Sequence, residues 1–236
     1  MITALVDGDI VSYRSAASCE PTKAKPEREP LEVALLRAED LMRRILNDTN
    51  ATGYRLFLGG DNNFRYYIYP EYKANRRNLP KPTYLQDVRA YLCAEWHAEI
   101  VNGQESDDAM GITQSDNTII CSIDKDLLQV PGKHYNFVKQ EFTEIDKLTG
   151  LKHFYQQLIT GDVSDNIPGY DGKARSAIPK FLQPAVTNLW ECEREIDMYN
   201  LVREMYQEDD ETLNRNAQLL YIRRREHDQW RIPSTD

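Results

Sequence analysis

A three-layer α/β fold is predicted here, with a mostly parallel sheet, helices on both of its faces and a helical region after it. Three observations in the 236-residue sequence carry that prediction. Short apolar runs alternate with stretches of helical periodicity, the pattern of strand–helix–strand units. Several of those runs end directly in an acidic residue. Beyond about residue 153 the pattern becomes helical, in separate segments.

The first strand is Ile2–Val6, an apolar run that stops at Asp7-Gly8-Asp9. Residues 18–30, rich in Pro, Lys and Glu, read as a loop. Leu31, Leu35, Ala38, Leu41, Met42 and Ile45 recur at helical spacing, and Gly53 follows. Tyr54–Leu58 is a second strand, stopped by Gly59-Gly60 and followed by Asp61. Tyr84, Val88, Tyr91, Leu92 and Trp96 mark a helix, and Ala98–Val101 a strand. Thr118–Ile123 is the clearest strand, with Asp124 and Asp126 just beyond it, and Tyr135–Val138 is a further one. Helices are expected over 153–160, 174–182, 193–206 and 211–222. The division that follows is an α/β core over 1–158, carrying a basic segment at about 62–104, and a helical region over 159–236. In such parallel sheets ligands bind beyond the carboxyl ends of the strands, where Asp7, Asp61, Asp124 and Asp126 would collect.

Composition narrows the class. A hydrophobic fraction of 41% suits a globular domain, and no apolar run approaches the roughly 18 residues needed to span a bilayer. Met1–Asp7 turns acidic too soon for a secretory signal, so the expected location is cytoplasmic. Cys19, Cys93, Cys121 and Cys192 show no paired spacing, which argues against a zinc knuckle or a disulfide framework. His97, His134, His153 and His227 are equally scattered and read as structural.

The formal net charge of −9 opposes nucleic-acid binding on average, but its distribution does not. Residues 55–91 hold Arg55, Arg65, Lys73, Arg76, Arg77, Lys81 and Arg89 against Asp61, Glu71 and Asp87. Residues 104–126 reverse this, with Glu105, Asp107, Asp108, Asp116, Asp124 and Asp126 against Lys125. A polyanion gripped by one stretch and cut at metal ions held by the other fits this pattern, and ordinary solvated surface is the plain alternative.

The acids form five clusters: Asp7-Gly-Asp9, Asp61, Glu105-Ser-Asp107-Asp108, Asp124-Lys-Asp126, and Gly161-Asp162-Val-Ser-Asp165-Asn-Ile-Pro-Gly169. A helical turn or tight loop would point Asp162 and Asp165 the same way. Asp107 and Asp108 would open a helix, where the backbone dipole favours them, so plain capping competes with metal binding for this pair. Carboxylates gathered at one place repel unless cations neutralise them. Oxygen-only donors suit magnesium or manganese better than zinc. Two ions about 4 Å apart can drive in-line phosphoryl displacement. No Ser-His-Asp set, Cys-His pair or Walker-type glycine loop competes as the reactive centre.

At this point the sequence resembles the 5′-nuclease superfamily: flap endonucleases, the 5′-nuclease domain of bacterial DNA polymerase, and bacteriophage 5′→3′ exonucleases, the phage members most of all. The matching pieces are Val6-Asp-Gly-Asp9, Tyr72-Lys-Ala-Asn-Arg76, Glu105-Ser-Asp-Asp108, Ser122-Ile-Asp-Lys-Asp126 and Gly161-Asp-Val-Ser-Asp-Asn-Ile-Pro-Gly169, in family order over roughly residues 2–180. The resemblance implies a PIN-like nuclease core, a helix-turn-helix-type duplex grip, and two or more Mg2+ or Mn2+ ions. It implies that Asp7, Asp61, Glu105, Asp107, Asp108, Asp124, Asp126, Asp162 and Asp165 surround the metals. Asp7, Asp61 and Glu105 fall near one ion, Asp124, Asp126, Asp162 and Asp165 near the other, and Asp107 between them.

The same resemblance places Lys73 and Arg76 on the scissile phosphate and Tyr72 where an aromatic ring can stack on an unpaired base. Tyr66, Tyr67 and Tyr69 beside it are expected to be mostly core. Arg77, Gly169, Gly172, Lys173 and Arg175 are implied in DNA binding. Ala174 stands where a third glycine is usual, which weighs against the potassium site of that turn. The implied partner is DNA with a duplex and a 5′ end or flap, with RNA in RNA–DNA hybrids as a further substrate. The chain is expected to be a monomer, away from membranes, and in the host cytoplasm if phage-encoded. Between Asp61 and Glu105 there is room only for a small arch. The competing readings are a PIN-like structure-specific ribonuclease and a non-catalytic DNA-binding protein derived from a nuclease.

Overall fold

The computed structural model of the chain describes residues 1–234, so 235 and 236 of the expected helical region lie outside the described residues. In chain order the elements are β1 (Thr3–Asp7), α1 (Gly8–Ala17), α2 (Leu31–Thr49), β2 (Gly53–Gly59), α3 (Arg65–Ile68), α4 (Leu85–Glu95), β3 (Glu99–Val101), α5 (Ser106–Thr113) and β4 (Thr118–Cys121). They continue with β5 (Gly132–Asn136), β6 (Glu141–Ile145), α6 (Lys147–Thr160), β7 (Gly161–Asp162), β8 (Ile167–Pro168), α7 (Gln183–Glu191), α8 (Glu195–Met205) and α9 (Asp210–Leu220). The chain divides into two compact units that interleave along the sequence. One comprises Met1–Asn62, Pro80–Lys125 and Gly132–Glu144; the other comprises Asn63–Leu79, Asp126–Pro131 and Ile145–Asp236. Residue 158, the expected boundary, lies inside α6, which belongs wholly to the second unit.

The first unit is built on a sheet of order β3-β2-β1-β4-β5-β6. The pairs β1–β2, β1–β4, β2–β3 and β4–β5 are parallel. Strand β6 follows β5 after residues 137–140, a link too short for a parallel crossover. Ala4, Val6, Leu56, Leu58, Ile119 and Cys121 belong to one core cluster with residues of α1, α2 and α4. Their alternates Leu5, Phe57 and Ile120 point to the other face and are buried too. Helix α5 packs on β1 and β2. A sheet covered on both faces explains why its strands read as unbroken apolar runs. Gly8 allows α1 to leave β1 at once, because a Cβ there would stand 2.5 Å from the Phe57 carbonyl oxygen.

The sequence missed β6, whose residues Glu141–Glu144 are exposed, so no apolar pattern marked it. It placed β4 two residues too long and β5 three residues too late at its start.

In the second unit the buried face of α6, Phe154, Tyr155, Leu158 and Ile159, joins a core with residues of α7, α8 and α9. Arg65, only 2% exposed, caps the end of α9 by donating from Nε to the Leu219 carbonyl at 2.7 Å and from Nη2 to the Tyr221 carbonyl at 2.9 Å. Asp162 and Asp165 lie on the small antiparallel hairpin β7–β8, the tight-loop alternative of the two expected. Gly161, at φ +68°, permits the hairpin to close, since a Cβ would collide with the backbone of residues 167–169. The helix expected over 174–182 is absent apart from a 3-10 turn at Lys180–Leu182. Pro179 disfavours helical backbone before it and Pro184 suits the first turn of α7, so the helix starts late. Among the described residues no helix is long and apolar enough to cross a membrane.

Candidate active site

In the first unit the chain moves from β1 outward to β2 and β3, then returns to the other side of β1 with β4. The carboxyl ends of β1 and β4 therefore flank the switch point where such sheets bind ligands. Asp7 closes β1 and caps α1, its Oδ1 accepting from the Ile10 amide at 3.0 Å. Its Oδ2 accepts from Ser122 Oγ at 2.7 Å, just past β4. The Asp124 amide donates to the same Ser122 Oγ at 3.0 Å, so one hydroxyl ties the two acids together.

Asp7 is 2% exposed. Burial pushes its carboxyl up to about 7, opposed by the hydrogen bonds from Ser122 and Ile10 and reinforced by the charges of Asp9 and Asp124. A buried carboxylate beside other carboxylates, at a strand end, is a site that a divalent cation would relieve. Ser122 falls inside the strand expected over Thr118–Ile123, so its role becomes visible only with β4 ending at Cys121.

Asp9 has a different task. Its Oδ2 accepts from the Gly59 amide at 2.8 Å and from Ser106 Oγ at 2.9 Å, and its Oδ1 pairs with Arg89. It ties β2, α4 and α5 to the start of α1. Asp61 is exposed after β2, its backbone bound to Asn102 and Gly103. Glu105 and Asp108 form a reciprocal capping box at α5, with the Glu105 amide donating to Asp108 Oδ2 at 3.0 Å. Asp108 is fully buried there, which is the capping alternative realised. Asp107, half-buried in the first turn, lies outside that box. Among the described residues no three His, Cys, Asp or Glu side chains stand together as a ready metal cage.

The second unit brings together residues that the sequence assigned to opposite roles. Asp165 accepts from the Tyr72 hydroxyl at 2.7 Å, pairs with Lys73 Nζ at 3.6 Å and pairs with Arg76. Arg76 also donates to the Ser164 carbonyl, and Asn75 Nδ2 to the Val163 carbonyl at 2.6 Å. Lys73, at φ +54°, donates its amide to the Asp165 carbonyl at 2.9 Å. The expected metal ligand and the expected phosphate clamp thus neutralise one another. Asp162 is buried on β7, and its Oδ1 accepts from the Asp165 amide at 2.9 Å. Asp126 accepts from Gln157 Nε2 at 2.6 Å; Gln157 gave no signal in the sequence.

Two aromatic expectations are corrected. Tyr72 has no exposed surface and its ring is core, because its hydroxyl reaches inward to Asp165. At least two of Tyr66, Tyr67 and Tyr69 are expected to be core, yet Tyr66 and Tyr67 are 44% and 79% exposed. The basic stretch is also less available than its count implied. Arg55 pairs with Glu99, Arg65 is a buried cap, Arg77 donates to the Pro70 carbonyl, and Arg89 pairs with Asp9.

In the 169–175 turn three backbone amides bond to carbonyls of the chain itself. Gly169 donates to the Lys173 carbonyl at 3.0 Å, Gly172 to Gly169 at 3.1 Å, and Arg175 to Thr160 at 3.0 Å. Buried Gly169 serves close backbone approach, since a Cβ would meet the Ile159 carbonyl. Arg175 forks onto Asp171 and holds that carboxyl below the ordinary range, whereas Lys173 is exposed.

Residues 3–157 match a family model described as the 5′-3′ exonuclease, N-terminal resolvase-like domain. A 5′-3′ exonuclease from Buchnera aphidicola subsp. Schizaphis graminum is 29% identical over 189 residues, 70% of this chain and 64% of that protein. A DNA polymerase I from Caldicellulosiruptor bescii is 33% identical over 141 residues, 49% of this chain and 16% of the polymerase. The chain therefore spans under two thirds of these relatives. The T5 D15 protein co-crystallised with metal ions shares the fold at a TM-score of 0.62 and 17% identity, covering 93% of this chain and 89% of that one. A bacteriophage T5 D15 flap endonuclease variant, in a pseudo-enzyme–product complex with DNA and metal ions, gives 0.63 and 16% over 93% of this chain and 89% of that one.

Proposed function

The chain belongs to the 5′-3′ exonuclease family through its N-terminal resolvase-like domain, and from that premise we propose that it is a divalent-metal-dependent nuclease cutting DNA at or near 5′ ends, as an exonuclease, a flap endonuclease or both. The observation that carries this reading is the buried Asp7 carboxyl, held by Ser122 beside Asp124 at the sheet's switch point. Oxygen donors of this kind fit Mg2+ or Mn2+. Such ions supply Lewis acidity toward a phosphodiester and a stronger nucleophile from water at neutral pH.

The chain's own residues then do the following. Asp7, fixed by the Ile10 amide and the Ser122 hydroxyl, offers a preorganised charge with Asp124 next to it. Asp61, Glu105 and Asp107 add carboxylates of the same unit; within the second unit, taken by itself, Asp126, Asp162 and Asp165 are the acids that could face a metal ion. Lys73 and Arg76 exchange Asp165 for a DNA phosphate, a bidentate partner that a guanidinium binds equally well. Lys173 and Arg77 contact backbone phosphates outside the reacting position.

Digestion of 5′-labelled duplex, nicked and flapped DNA and of a matched RNA hairpin, with Mg2+, Mn2+ or EDTA, tests the reading. DNA cleavage from the 5′ side that EDTA abolishes, and that Asp107→Asn lowers by about a hundredfold, is the expected result. Cleavage in EDTA, preference for the RNA hairpin, or binding without cleavage in either metal would overturn it.

A further inference from the structure

Gln129 is 2% exposed, and its amide can lie only one way round. The Ile222 amide donates to its Oε1 at 2.9 Å, which fixes that atom as the oxygen. Its Nε2 donates to the Leu220 carbonyl at 2.9 Å and to Gln157 Oε1 at 3.2 Å, so both amide hydrogens are used. Gln157 is thereby oriented in turn: its oxygen faces Gln129 and its –NH2 donates to Asp126 Oδ1 at 2.6 Å. A flip of Gln157 would oppose donor to donor at Gln129 and acceptor to carboxylate at Asp126. Asp126 and Gln129 sit three apart on the 3-10 turn Lys125–Gln129, whose period stacks such positions on one side within reach of α6.

We propose that Gln157 is a positioning residue for Asp126, locked by Gln129, so that backbone groups at residues 220 and 222 dictate the rotamer in which Asp126 presents its charge to a divalent cation. This rests on the reading of Asp126 as a metal-facing acid. Partners of this kind, one step behind the ligand, change metal affinity about 10–100-fold when removed.

The test is Mn2+ titration of the DNA-free protein by calorimetry, with the wild type, Gln157→Leu, Asp126→Asn and the double variant, each checked for an unchanged melting profile. The expected result is Mn2+ binding about 10–100-fold weaker in Gln157→Leu, and a double variant no weaker than Asp126→Asn alone. Wild-type affinity in Gln157→Leu, or losses that add in the double variant, would overturn the positioning role while leaving Asp126 at the metal. Wild-type affinity in Asp126→Asn would instead remove Asp126 from the metal site and the proposal with it. Gln157→Glu, which keeps the size and reverses the polarity toward Asp126, runs the same cycle if the leucine variant does not fold.

Discussion

Ser122 and Asp7, 115 positions apart in sequence, share a 2.7 Å hydrogen bond that places the first residue after β4 against the last residue of β1. The same hydroxyl receives the Asp124 amide, so the spacing of two acids is set by one oxygen. Ser122→Ala removes one of the two bonds that favour the charged form of Asp7. A hydrogen bond to a buried charge is worth about 1.5–3 kcal/mol, hence about one pH unit or more. The acid limb of the cleavage pH profile is expected to move upward by that amount, with folding retained. An unmoved limb would separate Ser122 from the titration of Asp7.

The raised Asp7 carboxyl also predicts how stability varies with pH in the absence of metal. Its folded value of about 7 lies above the ordinary 3.8, so the native state binds the proton more tightly than the unfolded chain does. The stabilisation this brings is complete below about pH 3.8 and is lost as pH rises through about 7. In EDTA the Asp7 contribution should lower the melting temperature between pH 6 and pH 8. Asp7→Asn, which keeps a helix-capping oxygen but cannot ionise, should lack that component and be the more stable protein at pH 8. Parallel pH dependences of the two proteins would refute the assignment.

Tyr67 and Tyr72 should separate DNA contact from packing. Tyr67→Ala removes a ring that is 79% exposed, and stacking on a base is worth about 1–3 kcal/mol. Binding to DNA with unpaired 5′ bases should weaken by about tenfold, with little change in melting temperature. Tyr72→Phe loses the bond to Asp165 and should lower the melting temperature, with base contact unaffected. Gel-shift titrations and thermal melts on both variants distinguish the two, and the reverse pattern would restore Tyr72 as the stacking ring.

Lys173 and Arg175 should likewise part company. Lys173 is exposed, while Arg175 is held by Asp171. Lys173→Ala should reduce the slope of log affinity against log salt by about one. Arg175→Ala should act mainly on the stability of the 169–175 turn. Equal losses of slope in the two variants would show that Arg175 leaves Asp171 for DNA.

By itself the sequence determined strands β1, β2 and β4, because they are apolar runs buried on both faces, but not α1 or β6, which no apolar pattern marked. It also placed Asp7 and Asp124 at strand ends, since a charge ends an apolar run visibly. What it could not decide was which acid meets which partner. Asp108 and Asp107 are adjacent in sequence, yet one closes a capping box and the other does not. Asp165 and Lys73 are far apart in sequence, and only the fold of the second unit sets a carboxylate against the cations that local charge counts had assigned to DNA. Tyr72 and Tyr67 are the same residue type five positions apart, and burial alone distinguishes them. Gln129 and Gln157 carry no charge and follow no motif. Their roles come from hydrogen-bond polarity, which propagates from fixed backbone groups and exists only once the tertiary structure has brought those groups together.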